Sequence, residues 1–176
     1  MNTRYGGGNE KIGKIVGGTE ADGKRLKAKF LKNTPAIKQL TNKVKDTLAE
    51  VNHRAGTTKW KRRYLIGLDG RVLHVRAIHS ALNLLLQSAG ALVCKQWVIR
   101  TEERLKERGL RHDWKGDFAY MAWVHDEMQV ACRTKEIAEI VVEEAQNAIR
   151  DVQEFFNFRV QLDTEGKIGK NWKDCH

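Results

Sequence analysis

Long apolar runs are missing from this 176-residue chain. No stretch approaches the roughly 20 consecutive apolar residues that cross a bilayer, so the expectation is no membrane partner. The start, MNTRYGGGNEK, has no apolar signal core, and nothing suggests export. The three cysteines, Cys94, Cys132 and Cys175, show neither CxxC spacing nor an even count. Two of them lie in apolar segments, which predicts reduced core thiols, an intracellular protein and no structural zinc site. His53, His74 and His112 have no zinc spacing either, and Gly6–Gly8 is followed by no GKS/T, which excludes a P-loop. Internal repeats and low-complexity linkers are also absent.

Acidic residues are scarce in one part of the chain only. Residues 1–63 hold 16 Lys and Arg against 5 Asp and Glu, net +11, whereas residues 64–176 hold 16 against 17, net −1. A basic region joined to a near-neutral one points to a polyanion, with phosphate contacts supplying non-specific affinity; a solvated lysine-rich helical surface is the plainer alternative. With 41% hydrophobic and 31% charged residues, the chain can bury one good core, or one domain plus an extension.

The pattern predicts a short helix through EKIGKIVG, capped by Asn9 and ended by Gly17 and Gly18, then another over Lys24–Phe30. Pro35, the sole proline, suits the first turn of an amphipathic helix whose apolar stripe is Ile37, Leu40, Val44, Leu48 and Val51. The period then changes. KWKRRYLIGLDGRVLHVRA reads as a hairpin about Asp69-Gly70, its first arm basic at Lys59, Lys61, Arg62 and Arg63. A largely buried helix is expected over about 79–108, with two strands meeting near His125-Asp126-Glu127. A second long helix follows over about 135–156, and then a last strand, FRVQLDTE. Trp97, Trp123, Phe155 and Phe156 read as core. Together these predict an α+β fold, a helical basic segment followed by an antiparallel sheet packed on two long helices.

Two features could carry chemistry. His79, Asn83 and Gln87, spaced i, i+4, i+8, share one helix face, followed by the small residues Gly90, Ala91 and Cys94. Amide donors so placed could sense base-pair geometry at the minor-groove acceptors; the alternative is a polar stripe facing water. The second feature is YMAWVHDEMQVAC, which sets Asp126 and Glu127 between two apolar strands. Adjacent carboxylates repel, so either the turn is merely solvated or the acids hold Mg²⁺, which prefers carboxylate and phosphate oxygens.

HDE at 125–127 between hydrophobic strands, LNLLLQSAGALVCK at 82–95, LDGR at 68–71 and the YGGG start resemble the family A, Pol I-like, DNA polymerases, above all those of short-tailed phages. The resemblance covers nearly the whole chain, in order. It implies that residues 1–80 are the later part of the fingers and 81–176 the second half of the palm. VHDE then looks like motif C, with Asp126 the metal-ligand aspartate, Glu127 its acidic neighbour and His125 beside the primer terminus. Gln87 and Asn83 match residues that contact nascent duplex or template, and His79 holds a corresponding polar position. Tyr5 matches the tyrosine ending motif B, near the templating base. Arg62 and Arg63 lie on the basic fingers surface, and the terminal His176 resembles the phage enzymes. Primer-template DNA, deoxynucleoside triphosphates and a two-Mg²⁺ site follow, as does action in a host cytoplasm during phage DNA replication.

The motif A aspartate, the fingers lysine for the triphosphate and the aromatic residue four before Tyr5 have no counterpart in these residues; position 1 is Met. The expectation is therefore a C-terminal subunit of a split polymerase, inactive alone and completed by an N-terminal fragment as a separate chain. An inactive remnant and a non-catalytic DNA-binding accessory protein remain as alternatives. A nuclease would need a further acidic cluster.

Overall fold

A computed structural model describes residues 8–52 and 57–175, so Tyr5 and His176 lie outside the described residues. The chain divides into two compact units, 1–89 and 90–176.

In the first unit, α1 (Asn9–Ile15) is preceded by the extended Gly8, which takes the cap position expected of Asn9; Asn9 is already helical. Gly17, at φ 69°, ends it, in the left-handed conformation that glycine adopts without penalty. Thr19 opens α2 (Glu20–Asn33) through a capping box: its hydroxyl accepts from Asp22 N, and the Asp22 carboxylate accepts from Thr19 N at 2.9 Å. The box starts this helix four residues earlier than apolar spacing alone indicates. Gly13 and Gly23 let α1 and α2 touch backbone to backbone; a Cβ on Gly23 would lie 1.9 Å from Asn9 O.

Pro35 occupies the first turn of α3 (Pro35–Leu48), as expected. The helix does not continue to Val51. Instead β1 (Ala49–Asn52) pairs antiparallel with β2 (Thr57–Trp60), and Leu48 O, at the helix end, accepts from Lys61 N at 2.8 Å. Strand pairing supplies the partners that further helical turns would have used, which overrides the weak period at Val51. The second hairpin joins β3 (Tyr64–Ile66) and β4 (Val72–His74) through Asp69-Gly70, with Gly70 at φ 81°. Its alternation buries Leu65 and Leu73 against Val44, Leu48, Val75 and Ala81. Burial of each such aliphatic side chain contributes about 1.5–3 kcal/mol.

A 3-10 turn at Ile78–Ser80 leads into α4 (Ala81–Glu107), and the division between units falls inside this helix. In the second unit, β5 (Phe118–Val124) and β6 (Glu127–Cys132) form an antiparallel hairpin with a bulge near Tyr120. The helix α5 (Lys135–Phe155) follows, with Thr134 as its cap. Trp97 packs on Ala145, Ala148, Ile149 and Val152, and its Nε1 donates to Ala145 O at 2.8 Å. Leu105, Phe118 and Val141 join helix α4, strand β5 and helix α5 in a second cluster. Glu144 is buried between Arg104 (2.8 Å) and Arg108 (3.4 Å), so its charge is compensated. A short α6 (Trp172–Cys175) closes the described chain.

The fold is α+β, with an antiparallel pair packed on two long helices. Three expectations need correction. Phe158–Glu165 is not a strand: Gln153 Oε1 accepts from Leu162 N and Gln146 Nε2 donates to Thr164 O, so amide side chains of α5 take the backbone groups that a sheet would. Trp123 and Phe155 are not core, being 44% and 59% exposed. Ile99, on the helix read as largely buried, is half exposed. All three cysteines are free, and among the described residues no helix is long and apolar enough to cross a membrane.

Candidate metal centre and nucleic-acid surface

The β5–β6 register sets Val124 opposite Glu127, leaving His125 and Asp126 as a two-residue turn. A loop that short needs an unusual backbone, and His125 supplies it at φ 57°, left-handed without being glycine. Trp123 Nε1 donates to His125 O at 2.8 Å, tying the tip to its strand. This explains why an indole read as core is half exposed.

The turn separates the two acids by environment. Asp126 is exposed, and its carboxylate has no hydrogen bond or ion pair among the described residues. Glu127, the first residue of β6, is half-buried and accepts from Gln129 Nε2, two residues along the same strand face. The i, i+2 spacing of an acid and an amide along one strand is the sequence signal for that pair. Asp126 also acts on α4: burial first, then the Asp126 charge, pushes the Cys94 thiol above its ordinary range. An inert, protonated Cys94 is the consequence.

A divalent ion needs more than this. Among the described residues no three His, Cys, Asp or Glu side chains come together as a metal site. Mg²⁺ demands near-octahedral oxygen coordination and dehydrates reluctantly. An uncompensated carboxylate at a pinned turn, with a second acid beside it, fits a share of such a site but not a whole one.

In the first unit the polar row begins at His79, in the 3-10 turn, not within the α-helix as spacing suggested. His79 and Gln87 are exposed. Asn83 is half-buried, and its Oδ1 is shielded from solvent without a hydrogen-bond partner. Of the row, this amide alone has unmet acceptor capacity inside the protein.

Arg62 and Arg63 lie between β2 and β3 and are stacked: Arg62 over Tyr64 at 5.1 Å, Arg63 over Trp60 at 4.5 Å. Guanidiniums resting on rings keep edge donors free for phosphate oxygens, although Arg62 Nε is itself shielded from solvent without a partner. Trp60 and Tyr64 flank the basic run in sequence, a signal that the charge count alone did not use.

Comparison with known proteins sets the chain as a whole among relatives. The sequence model of the family described as DNA polymerase family A matches residues 2–174. The chain is 61% identical over 175 residues to the DNA-directed DNA polymerase of Enterobacteria phage T3, covering 98% of this chain and 25% of that protein. It is 60% identical over 175 residues to the DNA-directed DNA polymerase of Escherichia phage T7, with the same coverage. It thus spans about a quarter of the length of the relatives it matches. Among solved structures, the POL domain of Pol1 from M. smegmatis, in complex with DNA primer-template and dNTP, is similar in fold. There the TM-score is 0.59 at 18% identity, covering 84% of this chain and 26% of that one.

Proposed function

Because the chain belongs to DNA polymerase family A, we propose that it is the part of a DNA-directed DNA polymerase that carries one share of the two-metal site and part of the primer-template surface. Residues 1–80 are read as the later fingers and residues 81–176 as the second half of the palm. The reaction is template-directed nucleotidyl transfer in phage DNA replication, in the cytoplasm of the host. What supports the reading above all is Asp126, an acid held at the tip of an apolar hairpin with no cation of its own.

Asp126 would hold the metal directly and Glu127 would support it, its carboxylate accepting from Gln129 Nε2. When bound, Mg²⁺ supplies charge stabilisation for the attacking and leaving oxygens of the transfer. The rest of the work falls to the protein's side chains. His125, set outward by its left-handed backbone, faces the primer end. Gln87, Asn83 and His79 offer donors to the duplex, where shared minor-groove acceptors report pairing rather than sequence. Arg62 and Arg63 position phosphates, which fixes register without reading bases. Tyr5 contacts the templating position.

The complementary partner is polypeptide bearing the second metal-ligand aspartate and the lysine for the incoming deoxynucleoside triphosphate. The phage relatives are about four times as long as the stretch they share with this chain. Supplied as a separate chain, the corresponding N-terminal portion should restore primer extension with Mg²⁺, while neither piece alone extends a primer. Extension by this chain alone would show that the missing residues have been misassigned. Salt-sensitive DNA binding without extension in any mixture would instead indicate an accessory DNA-binding protein.

A further inference from the structure

The segment Arg111–Asp117 precedes β5, at the end of the hairpin remote from Asp126. It is held by its own hydrogen bonds. Asp113 N donates to Phe118 O at 3.1 Å, Gly116 N to Asp113 O at 2.9 Å and Asp117 N to Arg111 O at 2.8 Å. Arg111 N donates to Asp117 Oδ2 at 2.7 Å, and Lys115 N to Asp113 Oδ1 at 2.9 Å. Gly116 is buried, and a Cβ there would lie 2.4 Å from Arg111 O. The loop therefore has one tight backbone course, and it thrusts Trp114 outward. At 79% exposed, Trp114 is the most exposed large apolar side chain among the described residues.

Two cations converge beside it. Arg111 Nη2 and Arg133 Nη2 both donate to Lys115 O, at 2.8 and 2.7 Å, and Arg133 Nε reaches Gly116 O at 2.9 Å. Among the described residues neither guanidinium has an ion pair, nor has the exposed Lys115. The nearby acids are otherwise engaged. Asp113 and Asp117 accept from backbone N–H groups of the same turn, Glu102 pairs with Lys106 and His112, and Glu143 pairs with Arg108. Two like charges sharing one carbonyl repel, and an anion bridging their remaining donors would turn that repulsion into attraction.

We propose that Trp114, Arg111 and Arg133 form a platform for single-stranded DNA, the guanidiniums taking a phosphate while the indole stacks on an unpaired base. Exposed aromatic surface beside cations is the chemistry of sequence-tolerant single-strand binding, and a paired base within a duplex has no free face to offer. The platform is separate from the turn at Asp126, about 20 Å away for a strand of seven residues. The assignment does not rest on the polymerase reading, and its readouts involve no extension.

The test uses the whole chain and an oligothymidylate bearing one 5-iododeoxyuridine. Irradiation should cross-link it to the peptide containing Trp114. Trp114→Ala should weaken single-strand binding about tenfold at fixed salt, while Trp114→Phe keeps most of it. Duplex affinity should not change, and circular dichroism should report the same fold in all three proteins. Cross-links confined to other peptides, equal binding by Trp114→Ala, or an equal loss for duplex would each overturn the proposal. So would displacement by polyglutamate as effective as by oligothymidylate at equal charge, which would assign the platform to an acidic protein segment.

Discussion

At the scale of single residues, Asp126 and Glu144 are opposite uses of one functional group. Glu144 is 6% exposed and lies between two arginines. Glu144→Gln removes the charge from a buried network, while Arg104 keeps Asp151 at 3.0 Å and Arg108 keeps Glu143 at 3.1 Å. Because both arginines retain a second carboxylate and solvent, the loss is that of charge-assisted hydrogen bonds, about 1.5–3 kcal/mol, and not the larger cost of an orphaned buried charge. Urea denaturation of the variant should show that loss with an unchanged slope. Asp126, by contrast, compensates nothing, so the fold does not depend on its charge. The question posed by Asp126 and Glu127 was legible in sequence, because paired acids between two apolar strands ask for an explanation. Which aromatics are buried was not. Hydrophobicity marks Trp123 and Phe155 as core, but it cannot report that a two-residue turn takes Trp123 Nε1 for its own carbonyl.

At the scale of elements, the first unit depends on one close crossing. In α1 and α2 the side chains of Gly13 and Gly23 are absent where the partner backbone stands, and the only buried residue of α2 is Gly23. Gly23→Ala must push the helices apart, at a cost of about 1–3 kcal/mol, the range for overpacking. Limited proteolysis should then cut first within Asn9–Asn33, while the segment from Pro35 onward resists as before. Equal protection in the variant would mean that the crossing bears little of the unit's stability. Long periodic helices were readable from residue spacing, and so was the hairpin at Asp69-Gly70. The end of α3 and the fate of Phe158–Glu165 were not, since both depend on distant partners. Lys61 N claims the Leu48 carbonyl, and amides of α5 occupy the closing segment. Strand propensity describes a residue's suitability for a pleated surface, not whether a neighbouring strand exists.

At the scale of the whole molecule, the charge is unevenly placed. Net +11 within residues 1–63 points to a polyanion, and DNA is the polyanion that the proposed function names. The candidate site was legible only as a proposal: the sequence offers Asp126 and Glu127 side by side, and the described residues form no group of three metal-ligating side chains. The proposed function therefore draws its second metal ligand from a length that the phage relatives have and this chain does not span, since the chain covers 25% of each.

The most direct measurement is the rate of single-nucleotide addition, with Mg²⁺, by this chain completed with the matching N-terminal portion, comparing Asp126 with Asp126→Asn. Even outer-shell partners of a metal command about 10–100-fold, so loss of a ligand itself should lower the rate more than a hundredfold. The melting temperature should stay within about 2 °C, as for any exposed, unpaired surface residue. Addition by the Asp126→Asn protein at an undiminished rate would contradict the account.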